Sequence, residues 1–294
     1  MNDIVNLRSV SKKYKKQKVF AIQNMNLNLT KGEIVGILGP NGAGKSTIIK
    51  TILGVIIPTE GQVNVFGKNP IHLNQKDKAR IGVYLGGKSN LIFHLPVMDT
   101  LKLTKTIYKI PSDEFELRVK KYAEILRCSE ILNQRVATLS LGQKLKAELL
   151  NLLIFQPELF ILDEPTLGLD IEAKRIFREI LRKLVEVEKI SIIMSSHDVN
   201  DMEKICNRII FLNKAKVLWE HTTEELSQNV EKYKLLITDK TIEPISQMTL
   251  LESSENASRY LVPVEEIEKI VLQPEISYRW CNATLEDTLY AYYR

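Results

Sequence analysis

Residues 39–47 read GPNGAGKST. They follow EIVGIL (33–38), a continuous apolar run of strand type, and lead into an apolar helical stretch beginning near Lys45. Gly39, Gly44, Lys45 and Ser46 fill the fixed positions of the phosphate-loop pattern G-x-x-x-x-G-K-[ST], in the strand–turn–helix context that the pattern requires. From residue frequencies alone, roughly one chain in a hundred would carry those four positions by chance. The flanking strand and helix make an incidental glycine turn negligible. In such a loop Gly39, Gly42 and Gly44 let backbone N–H groups converge on phosphate oxygens at the positive end of a helix dipole. Lys45 is expected to bridge the β- and γ-phosphates, and Ser46 to hold Mg²⁺. Pro40, Asn41, Ala43 and Thr47 complete the loop. The stretch implies a nucleoside triphosphate ligand.

A second half of such a site is present in LFILDEP (159–165). An apolar strand ending in Asp163 delivers that carboxylate to the C-terminal edge of a sheet, beside the phosphate loop and within reach of a Mg²⁺ shell. Glu164 follows, where it could orient and deprotonate an attacking water. Two acidic caps ahead of Pro165 would be the plainer reading in isolation. Paired with 39–47, the catalytic reading prevails.

Outward from these motifs, strand and helix patterns alternate. NMNLNLT (24–30) alternates at period two, and QVNVF (62–66), IGVYL (81–85), ISIIMSS (190–196) and RIIFL (208–212) are short β-branched or aromatic runs. Helical patterns at 171–188 and 199–206 lie between the later strands, which predicts a largely parallel sheet covered on both faces. Residues 98–156 read as two long helical patterns without a strand, an insertion in the α/β core. Near the end, 232–239 and 258–264 look like strands, 264–272 has helical spacing, and Thr284 with Asp287 forms a capping box.

With 294 residues, 44% hydrophobic and 26% charged, the composition is that of an ordinary soluble globular chain. No apolar run approaches the roughly 18 residues of a membrane helix, and the first residues do not resemble a signal peptide. Cys128, Cys206 and Cys281 are isolated, which argues against a disulfide framework or a metal knuckle. A reducing cytoplasm is expected. Net charge is +5, and the lysines of SKKYKKQK (11–18) have no continuation elsewhere that would make a nucleic-acid surface, so no nucleic-acid partner is expected.

The order of motifs over residues 1–220 resembles the ATP-binding subunit of ABC transporters. LSLGQ (139–143), ahead of an amphipathic helix and upstream of LFILDEP, is similar to that family's signature sequence. The resemblance implies that Ser140 and Gly142, with Gln143, cap the γ-phosphate held by the phosphate loop of a second protomer. A hydroxyl and a helix N-terminus suit an anion. The family's commoner pattern has glycine where Leu141 stands, so the leucine must point away from the nucleotide. LGLD (167–170) resembles the loop whose aspartate, here Asp170, couples the two ATP sites. His197 falls where the family places a γ-phosphate contact, and Tyr14 where it places the aromatic stacked on adenine, a contact of ~1–3 kcal/mol by analogy with other base stacking. Ala215 replaces a common turn glycine.

The resemblance implies an α/β P-loop NTPase with a RecA-like parallel-sheet core, an N-terminal antiparallel β subdomain, a helical insertion subdomain (about 98–156) and a small α+β C-terminal extension. An ABC ATPase domain over 1–228 and an accessory domain over 229–294 are expected, the latter similar at 282–294 to the final helix of ATPase subunits from bacterial drug, antibiotic and polysaccharide exporters. The expected ligands are ATP and Mg²⁺. A homodimeric partner and a separately encoded membrane permease are implied, with the chain peripheral on the cytoplasmic face of the membrane. A soluble ABC ATPase in a non-transport role, such as cluster assembly, is the alternative.

One stretch departs from the family. YLGGKSN (84–90) has Gly87 where exporter relatives carry a glutamine that reaches Mg²⁺ and the attacking water. Glycine supplies no ligand. Slow hydrolysis, substitution by Ser89 or Asn90, and a water completing the metal shell are the three readings, and water with slower hydrolysis is favoured because Asp163, Ser46 and the phosphates remain. Losing one supporting contact at a metal site typically costs ~10–100-fold in activity. Gly87→Gln should therefore raise basal ATPase activity with ATP affinity little changed. Steady-state rates for the wild type, Gly87→Gln and Asn90→Ala check this, and loss of turnover in Asn90→Ala alone would identify Asn90 as the substitute ligand.

Overall fold

The computed structural model describes residues 3–15, 17–86, 89–243, 247–254, 257–270, 272 and 275–290. It divides into two compact units, Met1–Glu220 and His221–Arg294.

The first unit opens with strands β1 (Asp3–Lys12), β2 (Ile22–Thr30) and β3 (Ile34–Leu38), then helix α1 (Lys45–Ile52) and strand β4 (Glu60–Val65). A short helix α2 (Gln75–Lys78) precedes β5 (Ile81–Leu85). Helices α3 (Val97–Tyr108), α4 (Ser112–Leu126) and α5 (Leu141–Leu153) follow. The unit continues through β6 (Leu159–Asp163), α6 (Ile171–Glu188), β7 (Ser191–Ser196), α7 (Val199–Ile205), β8 (Arg208–Asn213) and β9 (Lys216–Thr222). Two sheets result. One is antiparallel with order β2-β1-β4, and the other runs β5-β6-β7-β3-β8-β9, parallel from β5 to β8.

The strand sequences explain this division. β2 alternates buried and exposed residues, as a sheet with one wet face does, whereas every residue of β3 and β7 is buried. Leu27 and Leu29 of the small sheet share one apolar core with Ile37, Ile161 and Ile193 of the large one and Ile48, Ile49 and Ile52 of α1. The register of the parallel ladder aligns the C-terminal ends: Leu85 lies opposite Asp163, Asp163 opposite Ser195, and Leu38 opposite Ser196. One row of residues therefore brings three strand ends to one edge, where ligands of open α/β sheets bind.

The insertion holds three α-helices, not two. α4 stops at Arg127, which takes a left-handed conformation at φ 51°. Short 3₁₀ turns, Ser129–Ile131 and Val136–Thr138, lead to Ser140. No glycine or proline marks that break, so apolar periodicity ran across it. α3 and α5 are joined by a buried Thr104–Asn151 hydrogen bond of 2.6 Å.

The second unit contains α8 (Thr223–Glu231), β10 (Tyr233–Thr238), β11 (Thr249–Ser253), β12 (Ser258–Pro263), β13 (Tyr278–Asn282) and α9 (Leu285–Tyr290), with sheet order β11-β12-β10-β13. The expected domain boundary at 228/229 falls within α8. The sheet is apolar on both faces: Leu235 and Leu261 point to one cluster, Leu236, Tyr260 and Val262 to the other. The helical spacing after 264 forms a 3₁₀ helix, Val264–Lys269. It is six residues long before Ile270 returns to extended backbone, and so short a stretch favours the tighter winding. Thr284 and Asp287 do cap one another, at 2.9 and 3.2 Å between backbone N–H and side chain.

The turn joining β8 to β9 is Lys214–Ala215, with φ 45° and 68°. A two-residue hairpin turn needs positive φ at both positions, and a Cβ there is strained. Ala215→Gly should stabilise the first unit by about 1 kcal/mol, read as a raised urea midpoint for its unfolding transition.

Candidate nucleotide site

The loop after β3 is shaped by absent side chains. A Cβ on Gly39 would lie 2.3 Å from the Leu212 carbonyl oxygen, and one on Gly44, at φ 116°, would lie 2.4 Å from that of Ala21. Both contacts are with backbone, so only glycine fits. Gly44 precedes α1 without a side-chain cap, and the first turn of α1 carries no acidic residue. The helix thus presents uncapped N–H groups and positive dipole to the loop.

Lys45 is only 6% exposed. Its Nζ donates to the carbonyl oxygens of Gly39 at 2.7 Å and Pro40 at 3.3 Å, and lies 3.3 Å from Oε1 of Glu164. Glu164 Oε2 meets Nδ1 of His197 at 2.9 Å. The Ser46 hydroxyl donates to Oδ2 of Asp163 at 3.4 Å. Lys45, Ser46, Asp163 and Glu164 line one cleft of about 580 Å³ with Tyr14, Pro40, Asn41, Gly42, Gly44 and Thr47. Ala43 is buried behind the loop, its carbonyl accepting from the Ala215 N–H at 3.2 Å. Tyr14 sits in the β1–β2 connection with Lys12 Nζ 5.5 Å from its ring centroid.

Glu164 adopts a left-handed backbone at φ 49°. Conformations of this type cost of order 1–3 kcal/mol for a non-glycine residue and need fixing by their surroundings. β7 does the fixing: the Glu164 N–H donates to Ser195 O at 3.1 Å and Ser195 Oγ at 3.2 Å. The same hydroxyl donates to Asp163 Oδ1. Sequence reasoning missed Ser195. No sequence signal singles it out: β7 holds three serines, Ser191, Ser195 and Ser196, and only the register sets Ser195 opposite Asp163. His197 is steadied from the next residue: Asp198 caps α7 and pairs with Lys174 at 2.6 Å. Burial pushes the Asp198 carboxyl up, but the hydrogen bond and charge of Lys174 together with hydrogen bonds from Asp201 outweigh it and hold the group below its usual range.

Ser140, Gly142, Gln143 and Asp170 gather elsewhere, in a smaller groove of about 200 Å³ between α5 and α6. Ser140 and Gln143 form a reciprocal capping box at the start of α5. Asp170 caps α6, accepting from the Ala173 N–H at 2.7 Å. Leu141 turns toward the other loop: its Cδ2 lies 3.1 Å from where a Cβ on Gly168 would be. Gly87 lies outside the described residues. Ser89 and Asn90 do not reach Asp163; the first donates to Glu148 at 2.5 Å and the amide of the second to Val83 O at 3.3 Å.

Chemically, the cleft combines a cation, an uncapped helix start and a hydroxyl facing a carboxylate. Hard oxygen donors of that kind, few in number, suit Mg²⁺, which keeps waters and takes phosphate oxygens as its remaining ligands. Among the described residues there is no cluster of three or more His, Cys, Asp or Glu side chains that would form an all-protein metal cage.

Comparison with known proteins agrees with this arrangement. A family model described as ABC transporter matches residues 22–167. The ABC transporter ATP-binding protein NatA of Bacillus subtilis (strain 168) is 30% identical over 247 residues, covering 83% of this chain and 100% of that protein. The zinc uptake system ATP-binding protein ZurA of Listeria innocua is 29% identical, covering 86% and 96%. The Nod factor export ATP-binding protein I of Rhizobium leguminosarum is 34% identical, covering 74% and 68%. Among solved structures, cbiO1 of Clostridium perfringens, part of the ABC transporter complex cbiONQ, matches with TM-score 0.72 at 25% identity over 78% of this chain and 92% of that one. A dimeric ATP-binding cassette in a post-hydrolysis state, bound to ADP and Pi, matches with TM-score 0.64 at 28% identity over 74% and 98%. A phosphate loop whose lysine meets Glu164 and whose serine meets Asp163, on this sheet and with these relatives, makes the chain a member of the ABC transporter ATP-binding family.

Proposed function

We propose that this ABC-type ATPase chain binds MgATP in the cleft at the ends of β3, β6 and β7, hydrolyses it with Glu164 as general base, and drives a separate membrane permease. The observation that carries the reading is the contact chain from Lys45 through Glu164 to His197 beside the Ser46–Asp163 pair. In this assignment the glycine N–H groups of the loop and the Lys45 ammonium receive the β- and γ-phosphates. Ser46 and Asp163 hold Mg²⁺, which offsets charge developing on the phosphate oxygens. Tyr14 stacks on the base. Glu164 accepts the proton of the attacking water, and His197, hydrogen-bonded to the same carboxylate, contacts the γ-phosphate.

Ser140, Gly142, Gln143 and Asp170 serve the cleft of a second copy. They lie in a groove distinct from the cleft of their own chain, and a helix start with a hydroxyl is fit to cap a phosphate supplied from outside. Dimerisation would close two such sites. Support comes from the dimeric cassette among the matching structures. Among the described residues no helix is long and apolar enough to cross a membrane, so translocation is assigned to a partner subunit, with this chain peripheral on the cytoplasmic face. Export is proposed as the direction on the resemblance of 282–294 to exporter subunits. The matched relatives include one named for export and one named for uptake.

Lys45→Ala removes the one side-chain cation of the loop 39–47. With charge-assisted hydrogen bonds contributing about 1.5–3 kcal/mol, ATP affinity should fall roughly ten- to a hundredfold in titration calorimetry. Unchanged affinity would remove the loop from its assigned role. Glu164→Gln keeps the shape of the side chain but cannot accept the proton. Turnover should fall ~10²–10⁴-fold with ATP binding retained, and MgATP should trap a dimer in size-exclusion chromatography. A monomer with full activity would exclude Glu164 as the base.

A further inference from the structure

The lysines of SKKYKKQK (11–18) have no part in the proposed chemistry, yet the first two of them are not simply solvated. Lys12 Nζ stands over the Tyr14 ring, 5.5 Å from its centroid, and Lys13 Nζ over the Phe20 ring at 5.6 Å. A cation within about 6 Å of a ring centroid is attracted to the negative face of the ring. The described lining of the nucleotide cleft includes both rings and neither of these lysines. Each ammonium therefore lies behind its ring, on the side away from the cleft.

Lys12 is fixed at both ends of its side chain. Its Nζ donates to the Ile57 carbonyl oxygen at 2.7 Å, and its own carbonyl accepts the Ala21 N–H at 2.7 Å. Ile57 precedes Pro58, which confines the Ile57 backbone to extended conformations and makes the acceptor rigid. The Thr59 N–H then donates to Ser11 O at 2.8 Å, and the Thr59 hydroxyl accepts the Lys13 N–H at 3.1 Å. Residues 57–59 thus form a strut along the end of β1. A tyrosine in a strand connection loses rotamer freedom when it stacks on a base, and a ring already held loses less. The cation also draws π-density to the rear face, which eases the repulsion between two stacked faces at the front.

We infer that Lys12 is a positioning residue for the nucleotide base: its ammonium, tethered to the Ile57 carbonyl, sits behind the Tyr14 ring and holds the front of that ring toward the cleft. This rests on the assignment of the cleft to ATP and of Tyr14 to the base. Lys12 itself touches neither base nor phosphate.

The test uses the full chain, with steady-state ATPase kinetics and titration calorimetry of ATP and of inorganic tripolyphosphate, which has the charge but no base. Lys12→Met keeps the stem and removes the cation. ATP affinity should fall about two- to fivefold, the size of an exposed cation–π contact, and KM should rise by a similar factor with kcat unchanged. Tripolyphosphate affinity should stay as in the wild type. Lys12→Arg, whose planar cation also stacks on rings, should restore most of the ATP affinity. Lys15→Met removes the same charge from the same run and should bind ATP as the wild type does. In a Tyr14→Ala background Lys12→Met should cost nothing further, as expected of residues acting together. Wild-type ATP affinity in Lys12→Met overturns the inference, and so does its full loss in the Tyr14→Ala background. An equal loss for tripolyphosphate, or in Lys15→Met, assigns the effect to net charge and overturns it too. If Lys12→Met does not fold, Lys12→Gln carries the same comparison. Unchanged ATP affinity in Tyr14→Ala defeats the stacking assignment as well, and a wild-type chain that binds no ATP defeats the cleft assignment. Weakened binding in Tyr14→Ala with wild-type affinity in Lys12→Met defeats this inference alone.

Discussion

A buried ammonium group sets the terms for the whole cleft. Lys45 is almost closed off from water, and a charge in that position must be compensated by nearby oxygens. Two of them, on Gly39 and Pro40, belong to its own loop and force the loop to curl back over the side chain. The third, on Glu164, belongs to the end of β6 and ties that strand to the start of α1. Removing one partner from such a group typically costs 3–5 kcal/mol, because the charge stays buried. The loop, the strand end and the helix start are therefore one electrostatic unit. The close approach of Gly39 to Leu212 and of Gly44 to Ala21 is the steric condition for that unit to form.

The Glu164 backbone shows how the same edge stores strain and contains it. Its left-handed conformation is unfavourable for a residue with a Cβ, and nothing within β6 repays it. The compensation comes from β7, where the register sets Ser195 beside Asp163 and lets one buried hydroxyl bond both residues. Glu164 is thereby aimed between Lys45 and His197. Its position depends on three strands, and no local change in 159–165 alone could reproduce it.

How much of this was legible in the sequence follows from where the information sits. The phosphate loop was readable because backbone sterics demand glycine at fixed spacing, and β5, β6, β7 and β8 because burial on both faces leaves continuous apolar runs. Asp163 and Glu164 were readable as the polar end of such a run. Ser195 was not, since a serine in a strand gives no sign of what lies across the ladder. Glu148 was hidden for the opposite reason: in an amphipathic helix a glutamate reads as solvent-facing, and only the packing of 89–91 against α5 buries it. The break between α4 and α5 escaped because Arg127 ends its helix without a glycine or proline. β11 and β13 escaped because exposed positions interrupt their apolar pattern.

Leu141 shows how a departure from a familiar motif can be absorbed inside one chain. Glycine is commoner at that position in the family, and Gly168, at φ 78°, stands across the groove from it. The space left open by Gly168 is the space that Leu141 Cδ2 approaches. The side chain that the first loop adds is received by the side chain that the second lacks, so the two loops interlock without displacing Ser140 or Asp170 from their capping positions. The interlock leaves an apolar rim, with Leu141 47%, Leu167 63% and Ile171 87% exposed. Exposed apolar side chains gathered beside a groove are unfavourable in water and suit cover by a partner. On the two-chain reading, association would bury this rim and set Ser140 over a phosphate in the same step, so that apolar burial and phosphate capping reinforce each other.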